Sequence, residues 1–170
     1  MAITFSNAFK EILNTLKEII HNELKIPIHF DKDFEDRHNQ YINILPLGFD
    51  VVSRFAGSSQ REYSATLKYY LKKGNYEKHT HLDYLTSVGE RLTRLFNDNT
   101  NPVSSNDLFK GVLSQFSEST GTMAQNIAYT FHDGRIDSID YQPNLSEKEQ
   151  LENLNVVELT FTAIVTEVYL

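Results

Sequence analysis

Tyr41-Ile42-Asn43-Ile44-Leu45-Pro46-Leu47-Gly48-Phe49-Asp50-Val51-Val52-Ser53-Arg54-Phe55 is an apolar, β-branched and aromatic run. The small residues Ala56-Gly57-Ser58-Ser59 follow it, and Gln60 to Lys73 then alternates strictly. In that second run Tyr63, Ala65, Leu67, Tyr69 and Leu71 share one face, while Glu62, Ser64, Thr66, Lys68 and Tyr70 share the other. Period-two alternation is the mark of a half-buried strand, and a cluster of small residues between two such runs is the mark of a hairpin. Each arm would be roughly 40 Å long at about 3.3 Å per residue. That is more strand than a chain of 170 residues needs to cover its own core.

Working back to the N-terminus, Ser6 or Asn7 is placed to cap a helix running to about Leu24. Phe5, Phe9, Ile12, Leu13, Leu16, Ile19, Ile20 and Leu24 make one wide apolar face of it. Ile26 to Phe30 reads as a short extended piece, because Pro27 drives its predecessor out of helical geometry. Asp31 to Asn39 is a charged loop. Beyond the hairpin, Thr80 is the expected cap of a second helix, with Leu82, Leu85, Val88, Leu92, Leu95 and Phe96 inward and a stop at Asn97 to Pro102. Asp107 to Phe116 is weakly amphipathic within Ser/Asn/Thr/Gly-rich flanks, so residues 97–123 read as an inserted arm. Ile127 to Phe131 and Arg135 to Tyr141 flank His132-Asp133-Gly134, a hairpin signal. Asn144 to Asn153 has room for a helical turn. Val156 to Tyr169 closes the chain as a long strand.

The order α-β-β-α-β-β-β predicts a single α+β domain, an antiparallel sheet with two helices packed on one face. The absence of Cys rules out a disulfide framework and a thiolate nucleophile. No apolar run reaches the roughly 18 residues of a membrane span, and there is no signal-peptide pattern at the N-terminus. A soluble chain made in the cytoplasm is therefore expected. The net charge of −7 disfavours simple phosphate-backbone binding. It is unevenly spread, since Arg61 to Arg94 holds seven Lys/Arg against four Asp/Glu. Such segregation usually only solvates a face, and it is also what stacked or ring-forming subunits use.

Candidate chemistry is thin. His79, His81 and Asp83, and His29 with Asp31 and Asp33, lack the three or four convergent ligands or the loop spacing of a metal site, so no metal or cofactor is expected. No Gly-x-Ser-x-Gly elbow or phosphate-binding Gly-rich loop occurs, and Asp137 and Asp140 sit where acids are common in turns. An enzyme is not expected. Tyr63, Tyr69, Tyr70, Phe161 and Tyr169 beside Lys68, Lys72 and Lys73 could stack nucleic-acid bases, but alternating strand aromatics are more often core or subunit contact.

Over nearly its whole length the chain resembles the tail terminator family of long-tailed bacteriophages, also called tail completion or tail-to-head joining proteins. The resemblance rests on the first helix followed by Ile26-Pro27-Ile28, on Leu67-Lys68-Tyr69-Tyr70-Leu71, and on the helix Leu82 to Phe96. Phe131-His132-Asp133-Gly134-Arg135-Ile136-Asp137-Ser138-Ile139 before a Val/Thr/Phe-rich last strand adds to it. It implies a structural virion protein, assembled in the host cytoplasm, that closes into a hexameric ring on the head-proximal end of the tail tube. Its partners would be copies of itself, the tail tube protein and a neck or connector protein, with DNA passing through the lumen unbound and no membrane. Phe49, Val51, Tyr63, Leu67, Tyr69, Phe161, Val165 and Tyr169 on the strands, and Phe109 and Phe116 on the arm, become candidate subunit or partner contacts, the alternative for the strand residues being core. Another neck or head-completion protein, or a small α+β ligand- or nucleic-acid-binding domain, are the other readings.

Overall fold

A computed structural model describes residues 8–30, 38–72, 78–98 and 127–169. Helix α1 spans Ala8–Leu24, strand β1 Ile28–His29, β2 Gln40–Phe55, β3 Ser58–Lys72, helix α2 Lys78–Asn97, β4 Ile127–Asp140, helix α3 Glu147–Leu151 and β5 Leu154–Tyr169. The sheet order is β1-β2-β3-β5-β4. The α+β class expected from the sequence is what forms. The sheet is mixed rather than antiparallel, and the described residues include three helices.

Two expectations are corrected. The extended piece after Pro27 is a strand, pairing Ile28 with Ile42 and His29 with Asn43 in parallel, with Ile42 N–H donating to Pro27 O at 3.0 Å. At the other end, His132-Asp133-Gly134 does not turn. Ile127 to Asp140 is one strand on the long β5, from Ile127 opposite Tyr169 to Asp140 opposite Glu158, and the register shift between Phe131 and Asp133 takes up the irregularity. A continuous partner overrides a local turn signal because every backbone group stays paired while only one residue bulges. The strand count therefore matches for compensating reasons, one strand gained early and one lost late.

The core forms between the sheet and the layer of α1 and α2. Alternation puts Tyr63, Ala65, Leu67, Tyr69 and Leu71 of β3 beside Val157, Leu159, Phe161, Ala163 and Val165 of β5, all buried. From α1, Ile12, Leu16, Ile19 and Ile20 cover the β2 side; from α2, Leu85, Leu92 and Phe96 join the same core, Phe96 meeting the Phe161 ring edge-on at 5.3 Å. Helix α1 ends at Lys25, whose φ of 56° is left-handed and whose N–H returns to His21 O at 2.9 Å. The expected caps Ser6 and Asn7 lie outside the described residues. Helix α2 begins at Lys78, two residues before the expected cap Thr80, and Leu82 is exposed rather than inward. Gly89 in its middle sits where a Cβ would come within 2.6 Å of the Tyr141 hydroxyl, which accounts for a residue of low helix propensity there.

The opposite face carries a smaller cluster, Tyr41 stacked on Tyr70 at 4.8 Å with Leu154 and Val156. Helix α3 covers its end. Ser146 and Glu149 form a reciprocal capping box, and Glu149 also accepts from the Tyr70 hydroxyl at 2.8 Å and from Lys68 Nζ at 3.5 Å. Burial works to raise the Glu149 carboxyl, but Ser146, Tyr70 and Lys68 together hold it below its ordinary value, and burial with that carboxylate pushes the Tyr70 hydroxyl up. A depressed carboxyl stabilises the fold above its unfolded pKa and loses that contribution as pH falls through the folded one. Glu149→Gln is therefore expected to cost about 1–3 kcal/mol at neutral pH. It should also flatten the loss of stability on acidification below about pH 4.5, the ordinary carboxyl range, in urea melts across that window.

Candidate interaction surface

Strand β2 is two strands in one. Tyr41 to Ile44 is buried, but from Pro46 onward only Gly48 and Ser53 are even half-covered. Leu47 is 62% exposed, Phe49 50%, Val51 39%, Val52 56% and Phe55 72%. Register shifts at Pro46/Gly48 and Val51/Ser53 bulge Leu47 and Val52 out of the ladder with β3, so apolar side chains emerge on both faces. Among the described residues the outer edge is open as well. Strand β1 pairs only with Ile42 and Asn43, and among the described residues nothing pairs with β2 beyond them. A strand that exposes this many large apolar side chains beside an edge left unpaired among the described residues is what soluble proteins ordinarily avoid, unless it is a contact surface.

This arm is held stiff from its β3 side. Glu167, 4% exposed, accepts from the Ser59 hydroxyl at 3.4 Å and the Tyr63 hydroxyl at 3.3 Å, and pairs with the Arg61 guanidinium at 3.1 Å. Arg61 in turn lies 5.0 Å over the Phe49 ring, and Tyr63 packs between Phe49 at 5.5 Å and Phe9 of α1 at 5.2 Å. The two-residue turn, with Gly57 at φ 79°, closes the tip tightly. At the root of the arm, Phe9, Leu13, Phe30 and Pro46, with Lys10 and Asn14, line an open hollow of about 370 Å³. Exposed apolar side chains thus recur from the hollow beside α1 to the tip, with Asp50 and Arg54 between them.

No protein-family profile matches the chain, and no curated protein matches it significantly. Its own geometry carries the argument.

Of the candidate contact residues, Phe49 and Val51 lie on the arm. Tyr63, Leu67, Tyr69, Phe161 and Val165 do not reach the surface: each is at most 4% exposed and packs in the chain's own core, so their alternative assignment as core is the one the fold adopts. Phe109, Phe116 and the rest of the inserted arm from residue 99 onward lie outside the described residues, as does the Tyr169 side chain. Burial also removes Tyr63, Tyr69, Tyr70 and Phe161 from any role as base-stacking platforms, and Lys68 is paired with Glu149 and Glu158.

Asp137, Asp140 and His29 are engaged locally, while Asp31, Asp33, Lys73 and the His79 side chain lie outside the described residues. Asp137 accepts from Thr162 and holds Arg135 at 2.7 Å; these contacts outweigh burial and keep its carboxyl below the ordinary value. Asp140 accepts from Gln142 N–H at 2.8 Å. The His29 ring meets Tyr41 edge-on at 6.2 Å. Among the described residues no three His, Asp or Glu side chains converge on a metal-sized site, and no helix is long and apolar enough to cross a membrane.

Leu47, Val52 and Phe55, the most exposed of the arm's large apolar residues, were not among the sequence candidates. The signal for them was Pro46. Proline within an otherwise apolar strand marks an edge, because it cannot donate to a ladder.

Proposed function

We propose that this chain is a structural assembly protein of the tail terminator type, closing into a ring, hexameric by the family resemblance, on the head-proximal end of a bacteriophage tail tube. There it would stop tube growth, present a second surface to a neck or connector protein and let DNA pass through the lumen. The observation that carries this reading is the distal half of β2, a stiff arm with apolar side chains on both faces and an open edge. A tube end exposes strand edges and apolar patches, and a capping protein needs a surface that covers them. Nucleic-acid binding has less support, because Tyr63, Tyr69, Tyr70 and Phe161, which it would use, are buried.

A tube-assembly assay tests the reading. Added to tube protein in the act of polymerising, the purified chain is expected to shorten tubes in proportion to its concentration and to appear as a ring at one end in electron micrographs. Unchanged tube lengths and bare ends at saturating concentration would refute it.

A further inference from the structure

The outer edge of β4, among the described residues the far side of the sheet from the arm, is met by a side chain at Ile136. Asn97, the last residue of α2, accepts from the Ile136 N–H through Oδ1 at 2.8 Å and donates from Nδ2 to the Ile136 carbonyl at 3.0 Å. A carboxamide carries the donor and acceptor of a peptide group in the same plane, so it takes the two bonds a neighbouring strand would make. Only one orientation of the amide satisfies both, and Phe96, the residue before Asn97, is anchored in the core at 3% exposed. On the same strand Arg135 is forked between Asp133 and Asp137, both at 2.7 Å, and the pairing with β5 shifts register between Ile136 and Ser138. Charge and bulges are recognised guards of a sheet edge. The β2 arm also has bulges and carries Asp50 and Arg54, but five large apolar side chains stand exposed among them, and among the described residues no side chain is seen to take up its edge as Asn97 takes up Ile136.

We propose that Asn97 is a specificity-determining residue that blocks strand addition at β4, so that copies of this chain meet through the β2 arm and the sheet cannot be continued from the other side. Such a guard removes one route to open-ended growth, since edge-to-edge contacts that do not close by rotation add subunits without end, and it leaves ring closure to the contacts of the arm. The inference rests on the proposed role of the arm.

The experiment compares the full chain with Asn97→Ala and Asn97→Lys. Both lose the paired bonds, and only the lysine restores a charged guard. For Asn97→Ala the expected results are a circular dichroism spectrum like the parent's and Ile136 amide exchange faster on the order of fivefold, as for one lost hydrogen bond. Light scattering should then show mass that keeps rising with concentration, while Asn97→Lys stays at the parent mass. An alanine variant with the parent's mass distribution, or two variants that grow alike, would overturn the proposal. The underlying reading fails separately: if substitutions at Phe49 and Phe55 leave ring closure intact while Asn97→Ala still grows, the arm is wrong and the guard stands; if they abolish closure while Asn97→Ala is inert, the guard is wrong and the arm stands.

Discussion

Leu67→Asp is expected to leave the chain unfolded at room temperature, with a featureless near-ultraviolet spectrum and no cooperative melt. Leu67 is fully buried at the centre of the sheet, opposite Ile44 on one side and Leu159 on the other, beneath the helix layer. Removing its side chain alone costs about 2–5 kcal/mol through lost transfer energy and the cavity left behind. The aspartate adds the desolvation of a charge with no cation beside it, several kcal/mol more even after its carboxyl takes up a proton. A domain's whole stability is only about 5–15 kcal/mol, so this one change exhausts it. The conservative Leu67→Val should fold, with a melting point lower by several degrees.

Phe49→Asp with Phe55→Asp should do the reverse. These rings are half or more exposed, Phe49 touching only the edge of the packed region through Tyr63 and Arg61. Loss of those contacts costs about 1 kcal/mol, and the dichroism spectrum and cooperative melt should persist. Assembly should not. Aromatic residues buried at the centre of a contact commonly carry about 2 kcal/mol or more each, so the doubly substituted chain is expected to cap tubes or close rings at least on the order of 100-fold more weakly. Because the parent already carries a net charge of −7, Phe49→Lys with Phe55→Lys is the necessary companion. Equal loss from both pairs assigns the effect to the lost apolar surface; loss from aspartate alone assigns it to charge repulsion.

The two substitutions separate because β3 is buried at the centre of the sheet while the distal half of β2 is not; β2 itself changes character along its length, and that change was only partly legible. Alternation in Gln60 to Lys73 located the core residues of β3, and the spacing of Ile12, Leu16, Ile19 and Ile20 located the buried face of α1. Both are short-range periodicities that each element carries by itself. The continuous apolar run of β2 has no such period. Nothing local distinguishes Ile44, covered by α1, from Val52, which projects beyond it, since cover depends on where a helix 30 residues away happens to end. The parallel pairing of Ile28 with Ile42 is likewise set by tertiary contact. The Asp133-Gly134 turn signal failed because β5 is long enough to pair with both segments it was expected to separate. Asn97 looked only like part of a helix stop, and its bonds to Ile136 cross 39 positions of sequence.

The central claim is that the distal half of β2 becomes covered when this protein assembles, and hydrogen exchange read residue by residue, before and after ring formation on tube ends, tests it most directly. The amides of β2 whose N–H groups face the open edge between Leu47 and Phe55 should slow on assembly, while those of Tyr63 to Leu71, already protected in the isolated chain, stay unchanged. Rings that form while the Leu47 to Phe55 amides go on exchanging at their free rates, with new protection appearing elsewhere, would contradict it.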